Sequence, residues 1–398
     1  MYDVIIIGAG IIGASVAYYL GQHKVKVLVL EADNDVSNGT TKANSAIIHA
    51  GYDPEEGTLA ARHNVRGAAL CEEICRKLDV PYKRCGALVV GFNDEDDRTI
   101  EKLYQRGINN GVKGLRILNG QETLEMENEL SREVTSSLLA ETSAIVSPWE
   151  YCLALIETAV KNGVELKLNS AVTGIRKLEE GFEVETASEK YCTKYIINCA
   201  GVNSDKVHEL IGEKEFTIIP SKGEYYLLDK SEGHRVSHTV FQCPSSNGKG
   251  VLVSPTVHGN LIVGPNAHMS EVNDVSTTLD GLMFVRENAV KSVPKVNFRE
   301  NIRNFAGVRA RSDRGDFIIE ESRSVPGFFN LASIMSPGLS AAPSIALEAV
   351  AWLSSKMLLE KKKVSVRPSA AVAILDRPWM RLASWTMSVD SIRIARAC

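Results

Sequence analysis

The sequence predicts an α/β chain of two domains. One is a parallel-sheet domain collected from separated stretches; the other is an α+β domain built on an antiparallel sheet. Three observations predict this. "YDVIIIGAGIIGASVAYYL" (2–20) reads as a buried strand, a glycine turn and a helix, and "VKVLVLE" (25–31) follows as a second buried strand. Further buried-strand patterns return only far downstream, in "GVELKLNSAVTGI" (163–175) and "KYIINCAGVNSD" (194–205). Between them and the C-terminal third lie "EYYLLD", "GVLVSPT" and "NLIVGP", short strands with turns such as His258-Gly259-Asn260, the pattern of an antiparallel sheet.

Composition narrows the class. The 398 residues are 44% hydrophobic and 24% charged, with a formal net charge of -4, as in a soluble globular protein with a large core. No basic run invites nucleic acid. No apolar stretch approaches the ~20 residues of a membrane span, so membrane contact is at most peripheral, at the inner face. Asp3 and the early glycines argue against a secretion signal. The eight cysteines include no C-x-x-C spacing and fit reduced thiols in a cytoplasmic protein. Cys71 and Cys75, four apart on a predicted helix, read as core thiols rather than a metal or redox pair. No metal site is expected.

The first element carries the first chemistry. Gly8, Gly10 and Gly13 form G-x-G-x-x-G between a strand and a helix, the context in which that spacing binds a dinucleotide. Gly8 permits the tight turn, Gly10 lets a pyrophosphate approach the helix N-terminus, and Gly13 lets helix and strand pack closely. Glu31, 18 positions after Gly13, ends the second strand, where it can accept from ribose hydroxyls and repel a 2′-phosphate.

The second strand then runs into "NGTTKANSAIIHAGYDP" (38–54), a polar loop, instead of a third strand and helix. "KYIINCAGVNSD" ends in small residues suited to close approach by a ligand, and "SPGLSAAPSIALEAVAWL" (336–353) reads as a glycine turn feeding a helix, with Pro343 near its first turn. A cofactor site drawn from both chain ends and the middle points to a long, extended FAD rather than NAD. The fold is therefore a Rossmann-like FAD-binding domain, discontinuous at about 1–80, 140–215 and 300–360, with a substrate domain at 81–139 and 216–299.

These residues resemble a known family. "GAGIIG", "TTKANSAIIHAGYDP", "TSAIVSPWE", "NCAGVNSD", "KGEYYLLDK", "GKGVLVSPTVHGNLIVGPNA", "FAGVRARSDRGDFIIE" and "SPGLSAAPSIA" are similar to segments of the flavoprotein family of D-amino-acid oxidase, glycine oxidase and FAD-dependent glycerol-3-phosphate dehydrogenase. The likeness spans residues 1 to 355 and is greatest to the bacterial glycerol-3-phosphate dehydrogenase branch, with L-2-hydroxyglutarate dehydrogenase beside it. It implies FAD contacts at Gly8, Gly10, Gly13 and Glu31, and at Thr41, Lys42, Asn44 and Ser45 along the ribityl and phosphates. Val172 is implied at the adenine, Ala200 and Gly201 near the pyrophosphate, and Gly338, Leu339 and Ser340 at the pyrimidine edge of the flavin. It also implies His49 as the active-site histidine and Arg309 as the arginine that binds a substrate anion.

The reaction the resemblance implies is removal of hydride from a carbinol carbon to flavin N5 while a base, His49, takes the hydroxyl proton. Arg309 suits carboxylate and phosphate equally, so glycerol 3-phosphate, a 2-hydroxy acid such as L-2-hydroxyglutarate, and an amino acid are all candidates. A flavin-binding electron-transfer subunit is the non-catalytic alternative. Lys222 and Lys249 add positive charge if they face the cavity, and of Tyr225 and Tyr226 only one can face it. The electron acceptor stays open among a quinone, a partner subunit and oxygen.

Two departures stand out. Ser333 occupies a position where relatives often have glycine. Residues 365–398 resemble nothing in the family and hold five arginines and two acids. This tail is read as a truncated or shifted reading frame, with a genuine short segment as the alternative. The other histidines, His23 and His63 among them, read as surface or helix positions.

Overall fold

The computed structural model describes residues 1–244 and 250–364; Lys249 and the 365–398 tail lie outside them. The first sheet grows from Tyr2–Ile7, whose Val4, Ile5 and Ile6 are wholly buried. It pairs in parallel with Val27–Leu30 on one side and with residues 193–198 of the strand Lys190–Asn198 on the other. Glu165–Lys167 extends the parallel set beyond Val27–Leu30, and Phe328–Ala332 extends it beyond Asn198. Continuous apolar strands of this kind need cover on both faces. The helices Ile11–Leu20, Leu59–Lys77, Pro148–Lys161 and Gly338–Lys356 share one hydrophobic cluster on one side. A second cluster, including Leu28, Ile196 and Phe328, forms on the other. Ile7, Leu30 and Asn198 align in register, so the strand ends open together, the place where parallel sheets bind ligands.

Among the described residues the second sheet has nine strands. Its longest pair, Ile218–Leu228 and Asn301–Ser312, runs antiparallel along nearly its full length. The strands Leu261–Gly264, Leu252–Pro255 and Thr239–Gln242 continue as an antiparallel meander. Ala87–Gly91, Ser136–Ala140 and Leu115–Asn119 extend it, and the short strand His268–Met269, antiparallel to Ile218–Leu228, completes it. One junction, Thr239–Gln242 with Ala87–Gly91, is parallel, because there two separate stretches of chain meet. Asn301–Ser312, inside the stretch expected for the FAD-binding domain, belongs to the second sheet through its hydrogen bonding to Ile218–Leu228.

One local expectation also changes. The last helix begins at Gly338, so Pro343 sits inside it, in the second turn rather than near the start. Ser333 adopts φ 57°, a left-handed conformation that explains why glycine suits this position. Cys71 and Cys75 are wholly buried, and burial pushes the Cys71 thiol up to about 12. Among the described residues no helix is long and apolar enough to cross a membrane.

His63 is a helix residue, as expected, but a fully buried one, its Nδ1 2.9 Å from Ser344 Oγ. Burial, followed by the Arg62 charge, lowers its pKa from 6.5 to about 4. The unfolded chain therefore takes up a proton between pH 6.5 and 4 that the folded chain refuses, and stability falls as pH drops through that window. Between pH 7 and pH 5 this one group removes about 2 kcal/mol. Denaturant melts at the two pH values are expected to show a dependence smaller by about that amount in His63→Gln. Equal dependence in both proteins would refute the assignment.

Candidate active site

A cavity of about 1820 Å³ opens between the two sheets, at the carboxyl ends of the parallel strands. One wall starts at the glycine turn. Gly8 has φ 101°, and a Cβ there would lie 2.5 Å from the Cys199 carbonyl oxygen. A Cβ on Gly13 would lie 2.0 Å from the Gly8 oxygen, so the tight packing of turn, helix and neighbouring strand excludes any side chain at either position. Gly13 itself does not line the cavity; Gly8 and Gly10 do. The helix Ile11–Leu20 begins at Gly10 with no acidic residue in its first turn, an N-terminus suited to an anion.

A chain of contacts leads along this wall. Glu31 Oε2 accepts from the Ala9 N–H (2.7 Å), and Oε1 from the Asp33 N–H (2.9 Å). Burial raises the carboxyl above its ordinary pKa, against the pull of those two donors. Ser170 N–H reaches the Glu31 carbonyl, which sets Ser170, Ala171 and Val172 beside it in the lining. Ile11 N–H donates to Thr41 Oγ1 (3.0 Å), and Thr40 Oγ1 donates to the Val308 carbonyl (2.6 Å), one residue from Arg309. Asn44 braces the same loop, donating to the Thr41 carbonyl and accepting from Ala46 N–H. Ser45 shares a hydrogen bond with Tyr225 Oη (3.3 Å). Ala200, Gly201, Gly338 and Leu339 complete the lining on this side.

His49 follows the short strand Ile47–Ile48. Its backbone is pinned twice: the N–H donates to Ser340 Oγ (2.7 Å), and the carbonyl accepts from Asn64 Nδ2 (2.7 Å). Its ring lines the cavity, with Nε2 3.4 Å from Ser336 Oγ and the Phe241 ring 5.8 Å away. Across the cavity, Arg309 pairs in register with Ser221, and both face inward. Its Nη2 donates to the Asn266 carbonyl (3.3 Å). Tyr225 lies on the same face of its strand, stacked on Phe305 with centroids 4.8 Å apart. Tyr226 points to the other face and donates to the Leu282 carbonyl.

Besides Gly13, three expected contacts among the described residues are not brought to this cavity. Lys222 lies one residue out of phase with Ser221 and Tyr225, so it is carried to the back of the strand, where it is buried with Nζ 2.6 Å from Asp274. That bond holds the Asp274 carboxyl well below the usual carboxylate range. Ser340 is wholly buried and spends its hydroxyl on the His49 backbone rather than on a ligand. Lys42 is exposed and donates to Asn38. Lys249 is outside the described residues. Conversely, Phe241, Ser221 and Asn266 line the site through long-range strand pairing, and Ser336 joins them from the glycine turn before the helix Gly338–Lys356.

The residues present fit a long dinucleotide. A side-chain-free turn, an acid-free helix start, a buried carboxylate and a loop that reaches the second sheet form one continuous wall. Comparison with known proteins agrees. The model of the FAD dependent oxidoreductase family matches residues 3–352. The chain is 47% identical over 369 residues to a glycerol 3-phosphate dehydrogenase of Caloramator mitchellensis, covering 92% of this chain and 77% of that one. It is 35% identical over 379 residues to a glycerol 3-phosphate oxidase of Mycoplasma genitalium, covering 92% and 97%. Among solved structures, the L-alpha-glycerophosphate oxidase of Mycoplasma pneumoniae, dithionite-reduced with FAD bound, superposes with a TM-score of 0.86 at 32% identity, covering 92% and 98%.

Proposed function

The chain belongs to the FAD-dependent oxidoreductase family, and from that premise we propose that it oxidises glycerol 3-phosphate to dihydroxyacetone phosphate in the cavity between its sheets. One observation carries this: a cation, Arg309, and a histidine, His49, share a single cavity with the dinucleotide wall. FAD, when bound, supplies the electron-pair acceptor for oxidising a carbinol carbon. Gly8, Gly10 and the start of the helix at Ile11 would hold its pyrophosphate, with Ala200 and Gly201 beside it. Glu31 would hold the ribose, Val172 the adenine, and Gly338 with Leu339 the pyrimidine edge. Thr41, Asn44 and Ser45 would follow the ribityl chain.

The chain's own groups then divide the work. The Arg309 guanidinium binds the phosphate through paired N–H donors and fixes where the carbinol lies. His49 Nε2 takes the hydroxyl proton as the carbonyl forms. Tyr225, braced by Ser45, closes the wall between them. The FAD-binding and substrate domains meet here, the cofactor wall drawn from 1–80, 140–215 and the helix Gly338–Lys356, and the substrate wall from the nine-stranded sheet.

The purified protein is expected to be yellow and to release FAD, not FMN, on denaturation. Under anaerobic conditions glycerol 3-phosphate should bleach it, and L-2-hydroxyglutarate or an amino acid should not. Bleaching by one of the others instead reassigns the substrate, and none at all points to an electron-transfer subunit. Readmitting oxygen, or adding a quinone, to the bleached protein identifies the acceptor by which one restores the colour.

A further inference from the structure

We propose that Glu224 and Asn266 form a positioning pair that sets the guanidinium of Arg309, and through it the affinity for the substrate anion. This rests on the reading of Arg309 as the anion-binding residue. The strand Ile218–Leu228 has two faces, and Glu224 works from the one turned away from the cavity that Asn266 lines. Glu224 is wholly buried. Its N–H donates to Asn266 Oδ1 (2.8 Å), while its Oε2 accepts from Asn266 Nδ2 (2.5 Å). Both ends of one amide are thus held by one residue, which leaves Asn266 a single orientation. The backbone carbonyl of that same Asn266 receives Arg309 Nη2.

Two further contacts make the arrangement stiff. The other oxygen of Glu224, Oε1, accepts from the N–H (2.6 Å) and the hydroxyl (3.0 Å) of Thr278, the residue that caps the helix Leu279–Ser292. On the cavity side, a Cβ on Gly223 would lie 2.2 Å from Arg309 Nη2 and 2.8 Å from Pro265 Cβ. The guanidinium therefore occupies the space a side chain at Gly223 would fill, beside Pro265, with one donor directed to the Asn266 carbonyl. The helix cap, the buried carboxylate, the amide and the arginine form one connected line. Every bond in it is made by a neutral donor or by the arginine itself, so the Glu224 charge is satisfied without diverting a cation from the cavity.

The test uses holoenzyme, with glycerol 3-phosphate as the probe and rapid-reaction measurement of flavin reduction. Asn266→Ala should raise the substrate Kd on the order of 10-fold and leave the limiting reduction rate within about 3-fold, since misplacing an anchoring group weakens binding. Glu224→Gln should do the same, because its amide would set a donor against the donors of Thr278. In an Arg309→Ala background, Asn266→Ala should change Kd no further, whereas a general structural defect would add. Should either buried variant lose FAD, the exposed Thr278→Val is read instead. Its Kd should rise about 2- to 5-fold, and only where Arg309 is present. An unchanged Kd, or effects that add to Arg309→Ala, overturns the pair. A normal Kd in Arg309→Ala alone overturns the reading of Arg309 instead.

Discussion

Arg309→Ala is expected to lower kcat/KM for glycerol 3-phosphate by about 30- to 4,000-fold. Removing one partner of a charge pair in a largely enclosed site weakens the interaction by about 2–5 kcal/mol, and each ~1.4 kcal/mol is a factor of ten. The side chain faces the cavity from the longest strand pair of the second sheet, so its loss leaves the cofactor wall intact and the protein should stay yellow. Arg309→Lys should recover only part of the activity, because an ammonium lacks the planar fork that binds two oxygens at once. A variant with alanine at 309 and normal substrate affinity would remove the anion-binding role.

The second large effect belongs to His49. With glutamine in its place, the limiting rate of flavin reduction should fall by about 10²- to 10⁴-fold while substrate still binds. The structure separates this from a folding defect. The two bonds that seat this residue, to Ser340 Oγ and from Asn64 Nδ2, are made by its backbone and survive the substitution. FAD content is therefore expected to match that of the parent protein and is the first thing to measure. Unchanged reduction in His49→Gln would leave the ring as a wall element only.

The cofactor wall was legible in the sequence because its determinants are local. The glycine spacing, the strand ahead of it and the acid at the end of the next strand all lie within about thirty residues, where one βαβ unit fixes their relations. The substrate wall was less so. Tyr225 and Lys222 have opposite parity on one strand, so period-2 alternation alone forbids both from facing the cavity. Which of them does is decided by the register that sets Arg309 opposite Ser221, and that is a long-range fact. The family resemblance implies a ligand contact at Ser340, but the strand Ile47–Ile48 packs above it and takes the hydroxyl. Asn266 and Phe241 carry no pattern of their own. They enter the site because strands distant in sequence are neighbours in the sheet.

The assembly of the first sheet from distant stretches has a consequence for the order in which the chain is made. Tyr2–Ile7 finds Val27–Leu30 almost as soon as it leaves the ribosome. Its other neighbour, residues 193–198, follows after a delay of about 10–40 s at synthesis rates of roughly 5–20 residues per second. The Ser340 hydroxyl that seats His49 comes later still. Through that interval a strand with three wholly buried positions, Val4, Ile5 and Ile6, has one edge uncovered and nothing yet to close the nucleotide turn at Cys199. Such an edge invites pairing with other chains. The nucleotide turn can therefore close only once the chain has been made past Cys199.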